Sequence, residues 1–257
     1  MTLNSYLTAL ASDAVLSANE LSSIDRSIGA LSQRLNGFFR NDVREQFRFG
    51  SSTRGTILPR KYDPRSDIDY MIVFEDLGHQ PQTYLNQLRR FALQYYPSSS
   101  IKQSAPTIVL ELNHIRFDLV PATRSFWGGY RIPDGQGDWI GTNPNDFNRV
   151  LTEENVACRS MLKPAIRLAK LWNARTGYPF ESYVFEKWLV TRNYWLCSDV
   201  QSYFFRAMSA LEPVESVQWK NDAITRAKRI LAVALKRAEN YETKSAVLAI
   251  ERLFFRR

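Results

Sequence analysis

Apolar positions recur at helical spacing early in the chain: Leu21, Ile24, Ile28, Leu31 and Leu35, running on into Phe38 and Phe39. Residues three and four apart share one face of a helix, so the pattern predicts a long amphipathic helix, with Ser22 and Ser23 near its start and its apolar stripe turned to a core. The period changes further on. Ile68 to Phe74 is an almost unbroken apolar run entered from the polar, Pro-rich stretch Pro59 to Ser66, and it reads as a buried strand. A helix is expected around Tyr84 to Tyr95. The runs Thr107 to Leu112 and Ile115 to Val120 flank Asn113-His114, a gap that suggests a hairpin.

Residues 124–148 are rich in Gly, Pro and Asn, and they read as a structured connection anchored by Trp127 and Trp139. From about Thr152 the pattern is helical. Met161, Leu162, Ile166, Leu168, Ala169 and Trp172 mark one segment, and Ile224 to Leu253 one or two more. The expected fold class is therefore α+β, with residues 1–150 holding an amino-terminal helix and a mixed-sheet lobe, and residues 151–257 a helical lobe. There is no internal repeat.

Composition agrees with a folded chain, since 44% hydrophobic residues among 257, with 13% aromatic, exceed what a disordered segment carries. Charge adds an asymmetry. Of the formal +8, residues 1–158 supply 16 Lys/Arg against 17 Asp/Glu, and residues 159–257 supply 18 against 9. A basic lobe beside an acidic motif suits polyphosphate held near metal-binding carboxylates, although the same charges also describe a solvated helical surface. Cys158 and Cys197 are too few for a disulfide framework, and with His79 and His114 they lack the paired spacing of a zinc site, so no zinc is expected. The start has no basic-then-apolar leader, and no run approaches the roughly 18 to 20 apolar residues that cross a bilayer. The expectation is a cytoplasmic protein that makes no use of a membrane.

The candidate chemistry lies at the mouth of the apolar strand. Alternation in a strand sends Asp67 and Asp69 in one direction, and two adjacent carboxylates are unfavourable without a cation between them. That pairing invites magnesium. Asp118, between Phe117 and Leu119, is a carboxylate in an apolar strand, and it joins the same site if its strand neighbours that of Asp67 and Asp69. Upstream, Gly50-Ser51-Ser52-Thr53-Arg54-Gly55-Thr56 is a small-residue turn leading into a helix. Its backbone amides and hydroxyls can cradle phosphate oxygens, and Arg54 can add charge. The turn also reads as a plain helix-capping loop, and Asp67 as a turn residue.

As an ordered set, Gly50-Ser51, Asp67-x-Asp69 and Asp118 resemble the nucleotidyltransferase superfamily that shares the DNA polymerase beta-like fold. Phe49 to Thr56, Ser66 to Val73, Asp118 to Ala122, Arg131 to Asp134 and Trp139 to Pro144 narrow this. The sequence is similar to the bacterial cGAS/DncV-like nucleotidyltransferases, which make cyclic oligonucleotide signals in antiphage defence (CBASS). The resemblance runs from about residue 20 to about residue 195. It implies a bilobal enzyme with a central cleft, joining NTPs, ATP first among them, into a cyclic di- or oligonucleotide with release of pyrophosphate. Asp67, Asp69 and Asp118 would hold two Mg²⁺ ions, with Mn²⁺ as a substitute, and Gly50 and Ser51 would carry the triphosphate.

The resemblance further implies that Lys170 meets the phosphates, that Ser182 donates to them and that Tyr183 stacks on a base. On their own, Tyr183 reads equally as a core aromatic and Lys170 as a solvated residue. An activating protein or peptide partner is compatible with the family, whereas zinc-dependent DNA sensing is not expected. Two departures from the family pattern stand out: the loop Pro59 to Arg65 before the acidic pair is long, and the chain is short. Rival readings are transfer to an RNA 3′ end or an antibiotic hydroxyl, which would need an added acceptor, and a nucleotide-binding module without catalysis.

Overall fold

A computed structural model describes residues 1–104, 106–213 and 217–255. In chain order, α1 (Leu3–Asp13) and α2 (Ala18–Phe39) precede β1 (Val43–Phe49), the single turn α3 (Ser51–Arg54) and β2 (Asp67–Phe74). Then come α4 (Pro81–Tyr95), β3 (Ser100–Ser104), β4 (Thr107–Glu111), β5 (Arg116–Arg124), β6 (Tyr130–Pro133) and β7 (Trp139–Thr142). Six helices complete the described chain: α5 (Asp146–Ala157), α6 (Leu162–Arg175), α7 (Ser182–Val190), α8 (Val200–Ser209), α9 (Gln218–Glu239) and, last, α10 (Thr243–Phe254), which pairs with α9.

The chain forms two compact units. One comprises Leu16–Arg60 and Arg65–Arg149. Its mixed sheet runs β1-β2-β5-β4-β3, with β6 added to β5 and β7 to β6; only β2 and β5 run parallel. Helix α2 begins at a capping box, in which Ser17 and Glu20 satisfy each other's backbone amides, so its start lies upstream of Ser22 and Ser23. Its apolar stripe (Ile24, Leu31, Leu35, Phe39) packs with Tyr84, Leu88 and Phe91 of α4 over one face of the sheet, where Ile68, Tyr70, Ile72, Phe74, Phe117 and Leu119 project. Burying side chains of this size contributes roughly 1.5–3 kcal/mol each, an upper estimate per residue.

The other unit comprises Met1–Val15, Lys61–Pro64 and Val150–Arg257. The boundary expected near residue 150 therefore differs in two places. Helix α1 buries Leu3, Leu7, Leu10 and Ala11 against α6, α8 and α10 and so belongs with the helices. The segment Lys61–Pro64 joins it because Lys61 and Tyr62 both bond Asp13 and because Tyr178 bonds Asp63. The two-residue gap expected at Asn113-His114 is a four-residue connection closed by Leu112 N–H donating to the Ile115 carbonyl at 2.9 Å. Within residues 124–148, β6 and β7 form a hairpin. Trp139 packs against Tyr84, but Trp127 is 91% exposed and provides no anchor, its ring neighbour among the described residues being the equally exposed Phe126. No helix among the described residues is long and apolar enough to cross a membrane.

Candidate active site

The alternation that sends Ile68, Tyr70, Ile72 and Phe74 into the helix-covered core leaves Asp67 and Asp69 on the opposite sheet face, the face of Met71 and Val73. Strand β5 does the same: Phe117 and Leu119 enter the core, while Arg116, Asp118 and Ala122 share the other face. Parallel pairing sets Asp67 opposite Arg116 and Asp69 opposite Asp118. The condition the sequence left open is met: the third carboxylate is the direct strand neighbour of the second.

Arg116 binds two of the three. Its Nε donates to Asp118 Oδ1 at 3.0 Å, and its Nη2 pairs with Asp67 Oδ2. These side chains are only 16–26% exposed, so their charges are partly stripped of water. Burial, with the charge of Asp67 next, pushes the Asp118 carboxyl up to about 6 against the opposing pull of Arg116. Burial acts to lower the Arg116 guanidinium, but the charges of Asp118 and Asp67 outweigh it and raise it above its ordinary value.

Gly50 closes the patch from β1. A Cβ placed there would stand 1.8 Å from Asp69 Oδ2 and 2.7 Å from its Cγ, and the residue has φ +72° and ψ −152°, a region open to glycine. Only a residue without a side chain lets the backbone pass this close to the carboxylate. Beyond it, Ser52 and Thr53 turn their hydroxyls to the carbonyls of Phe49 and Gly50. The Ser51 hydroxyl has no hydrogen-bond partner among the described residues, and the amides of Ser51 and Ser52 stand in a first helical turn, where no intrahelical acceptor exists. The turn thus offers donors beside the acids.

The remaining expected residues have different settings. Arg54 is only 6% exposed, with its guanidinium 5.0 Å from the centre of the Phe147 ring, so this side chain is enclosed and braces α3. Lys170 is buried on α6, and its Nζ lies 3.7 Å from Oε2 of Glu186, itself fully buried on α7. The solvated reading of Lys170 is therefore overturned. Ser182 opens α7, whose N-cap Glu181 accepts from the amides of Tyr183 and Val184. Tyr183 is 45% exposed with Lys187 over its ring, so it is not a core aromatic. His114 lies beside Ser27, 3.0 Å away.

Among the described residues, no three His, Cys, Asp or Glu side chains are gathered as a metal cage. At the acidic patch the guanidinium of Arg116 lies against one oxygen each of Asp67 and Asp118. The donor set nevertheless fits a hard divalent cation: three carboxylates on one face of two adjacent strands, one of them made a costly anion by burial and by the charge of Asp67. Two contributors escaped the sequence reading. Arg116 stands two residues before Asp118, on the same strand face, and Glu186 lies within α7 four residues after Ser182; spacing alone was the available signal.

Residues 1–155 match the family described as Second Messenger Oligonucleotide or Dinucleotide Synthetase domain (SMODS). A probable cyclic nucleotide synthase of Bacillus cereus (strain VD146) is 29% identical over 182 residues, covering 56% of this chain and 54% of the relative. A cyclic AMP-AMP-AMP synthase of Acinetobacter is 26% identical over 110 residues, covering 42% of this chain and 32% of the relative. The chain thus spans about half or less of the curated relatives it matches. Among solved structures, the apo form of Vibrio cholerae DncV superposes with a TM-score of 0.79 at 12% identity, covering 100% of this chain and 96% of that one. E. coli MS115-1 CdnC with ATP gives a TM-score of 0.70 at 16% identity, covering 98% and 97%. At these identities the structural likeness concerns the fold.

Proposed function

Because the chain belongs to the Second Messenger Oligonucleotide or Dinucleotide Synthetase family, we propose that it is a template-independent nucleotidyltransferase that joins NTPs into a cyclic di- or oligonucleotide second messenger, in bacterial antiphage signalling. The observation that carries this reading is the in-register pairing of Asp69 with Asp118, with the backbone of Gly50 laid against Asp69. Relatives named as cyclic nucleotide and cyclic AMP-AMP-AMP synthases support it.

Asp67, Asp69 and Asp118 would hold the divalent ions, which when bound neutralise the triphosphate and acidify the attacking ribose hydroxyl. The residues themselves do the rest. Asp67 and Asp69 present their oxygens in one direction because the strand alternates, and Asp118 adds a third from β5. The Ser51 hydroxyl and the first-turn amides of α3 receive phosphate oxygens. Lys170 supplies positive charge for the same phosphates; Glu186 holds its ammonium in place. Ser182 donates to phosphate from the start of α7, and the exposed ring of Tyr183 stacks on a base with little discrimination among bases. No histidine takes part.

A structure of E. coli MS115-1 CdnC is in complex with a HORMA protein, which supports an activating protein partner for this chain as well. The test is pyrophosphate release from NTPs and Mg²⁺ with no acceptor added. Release at a rate proportional to enzyme supports transfer between nucleotides. Release that appears only after RNA or an aminoglycoside is supplied would assign the chain to the other acceptor classes.

A further inference from the structure

We propose that Arg116 is a resident counter-cation of the acidic patch, which a divalent ion has to displace, so that this guanidinium weakens metal binding until a nucleotide brings the ion in. The inference rests on the assignment of Asp67, Asp69 and Asp118 as metal ligands.

The geometry sets up a competition for the same oxygens. Arg116 lies on β5 opposite Asp67 and two residues before Asp118, which puts all three side chains on one sheet face. The guanidinium then bridges them, with Nε on Asp118 Oδ1 at 3.0 Å and Nη2 on Asp67 Oδ2. A magnesium ion requires near-octahedral oxygen ligands at about 2.0–2.1 Å. The lone pair that faces a guanidinium N–H is closed to such an ion, and the positive charge of the guanidinium repels a second cation brought to the same carboxylates. When no ion is present, Arg116 offsets the repulsion between two partly buried carboxylates that stand beside each other.

A competing role for Arg116 is to hold Asp67 and Asp118 in ligand geometry. The two roles predict opposite signs. If Arg116 competes, removing it tightens metal binding; if it only orders the acids, removing it loosens metal binding.

The test compares the full chain with Arg116→Met and Arg116→Gln by counting free Mn²⁺ in solution by electron paramagnetic resonance, without nucleotide. Thermal melting is run in parallel, in chelator and in Mn²⁺. Both variants are expected to bind Mn²⁺ roughly tenfold more tightly than wild type, in keeping with the loss of one charged hydrogen-bonded competitor. They are also expected to melt lower than wild type in chelator and to regain the difference in Mn²⁺. Arg116→Gln keeps a hydrogen-bond donor and so carries the comparison should the Met variant not fold. Mn²⁺ binding that is unchanged or weaker in a folded variant, with wild type binding normally, overturns the inference alone. An absence of Mn²⁺ binding in wild type and both variants, with ATP as well as without, overturns the ligand assignment and the inference with it. A spectroscopic readout separates the roles again: the Arg116 Nε–H resonance should move on Mg²⁺ addition as the guanidinium leaves the carboxylates. A resonance that stays in place while Mg²⁺ binds contradicts displacement.

Discussion

Two ion-paired clusters, one in each compact unit, differ in their contact with water. In the sheet unit, Arg116 lies between Asp67 and Asp118 on a face that is partly open to solvent. In the helical unit, Lys170 faces Glu186 in the interior. Carboxylates that keep contact with water can take up cations and release them. The second cluster is buried, and its desolvation makes either partner expensive to lose alone. On the function proposed above, the sheet unit would supply exchangeable sites and the helical unit a fixed charge.

The sharpest way to break this comparison is to remove the carboxylates of the sheet unit. Asp67→Asn with Asp69→Asn should lower pyrophosphate release by more than about a hundredfold, since even the outer neighbours of metal ligands are typically worth 10–100-fold. The fold should persist, because both side chains lie off the helix-covered core. A double variant that keeps its rate would detach the acids from the chemistry.

In the helical unit the expected loss is of stability. Glu186→Gln strands a buried ammonium, and the chain should lose about 3–5 kcal/mol, read as a shift in the denaturant midpoint. Adding Lys170→Met to it should restore most of the stability while leaving the rate low. If the single variant unfolds at the wild-type midpoint, the pair is not the buried couple described here.

Gly50→Ala is a smaller steric test. The added methyl collides with Asp69 in a backbone region that suits glycine, at roughly 1–3 kcal/mol of strain, and it should lower the rate by displacing that carboxylate. A variant with wild-type melting and rate would show that the close approach is not required.

The acidic patch and its surroundings were unequally legible in the sequence. Asp67 and Asp69 could be placed because they open an apolar run whose period is plain, and Asp118 because it interrupts another. Their convergence could not be read, since the parallel pairing of β2 with β5 joins segments about 50 residues apart. Helix α2 was legible from its stripe, although its start was displaced because the capping box at Ser17 and Glu20 precedes the apolar pattern. Strands β3, β6 and β7 escaped notice. They are short, β3 and β7 lie at sheet edges, and β3, Ser-Ile-Lys-Gln-Ser, has too little apolar alternation to register. Membership of α1 and of Lys61–Pro64 in the helical unit depends on Asp13 and on apolar contacts far along the chain, which no local pattern encodes. Arg116 and Glu186 were not singled out, because the meaning of each lies in its partner.

The smallest expected effect is on pH dependence. The Asp118 carboxyl is raised to about 6, so in chelator its contribution to stability is fully present below the unfolded value near 4 and is lost as pH rises through about 6. Asp118→Asn should flatten that part of the stability profile. A profile between pH 4 and 6 that is the same in wild type and Asp118→Asn would contradict the electrostatic description of the patch.

The central claim, that this acidic patch joins nucleotides to one another, is tested most directly by mass spectrometry of phosphatase-treated products from NTP mixtures with Mg²⁺ and no other acceptor. The account predicts phosphatase-resistant masses equal to two or more nucleoside monophosphates less one water per linkage, ring closure included, and their absence with Asp67→Asn/Asp69→Asn. Products that appear only on an added acceptor, or that persist unchanged in the double variant, would contradict it.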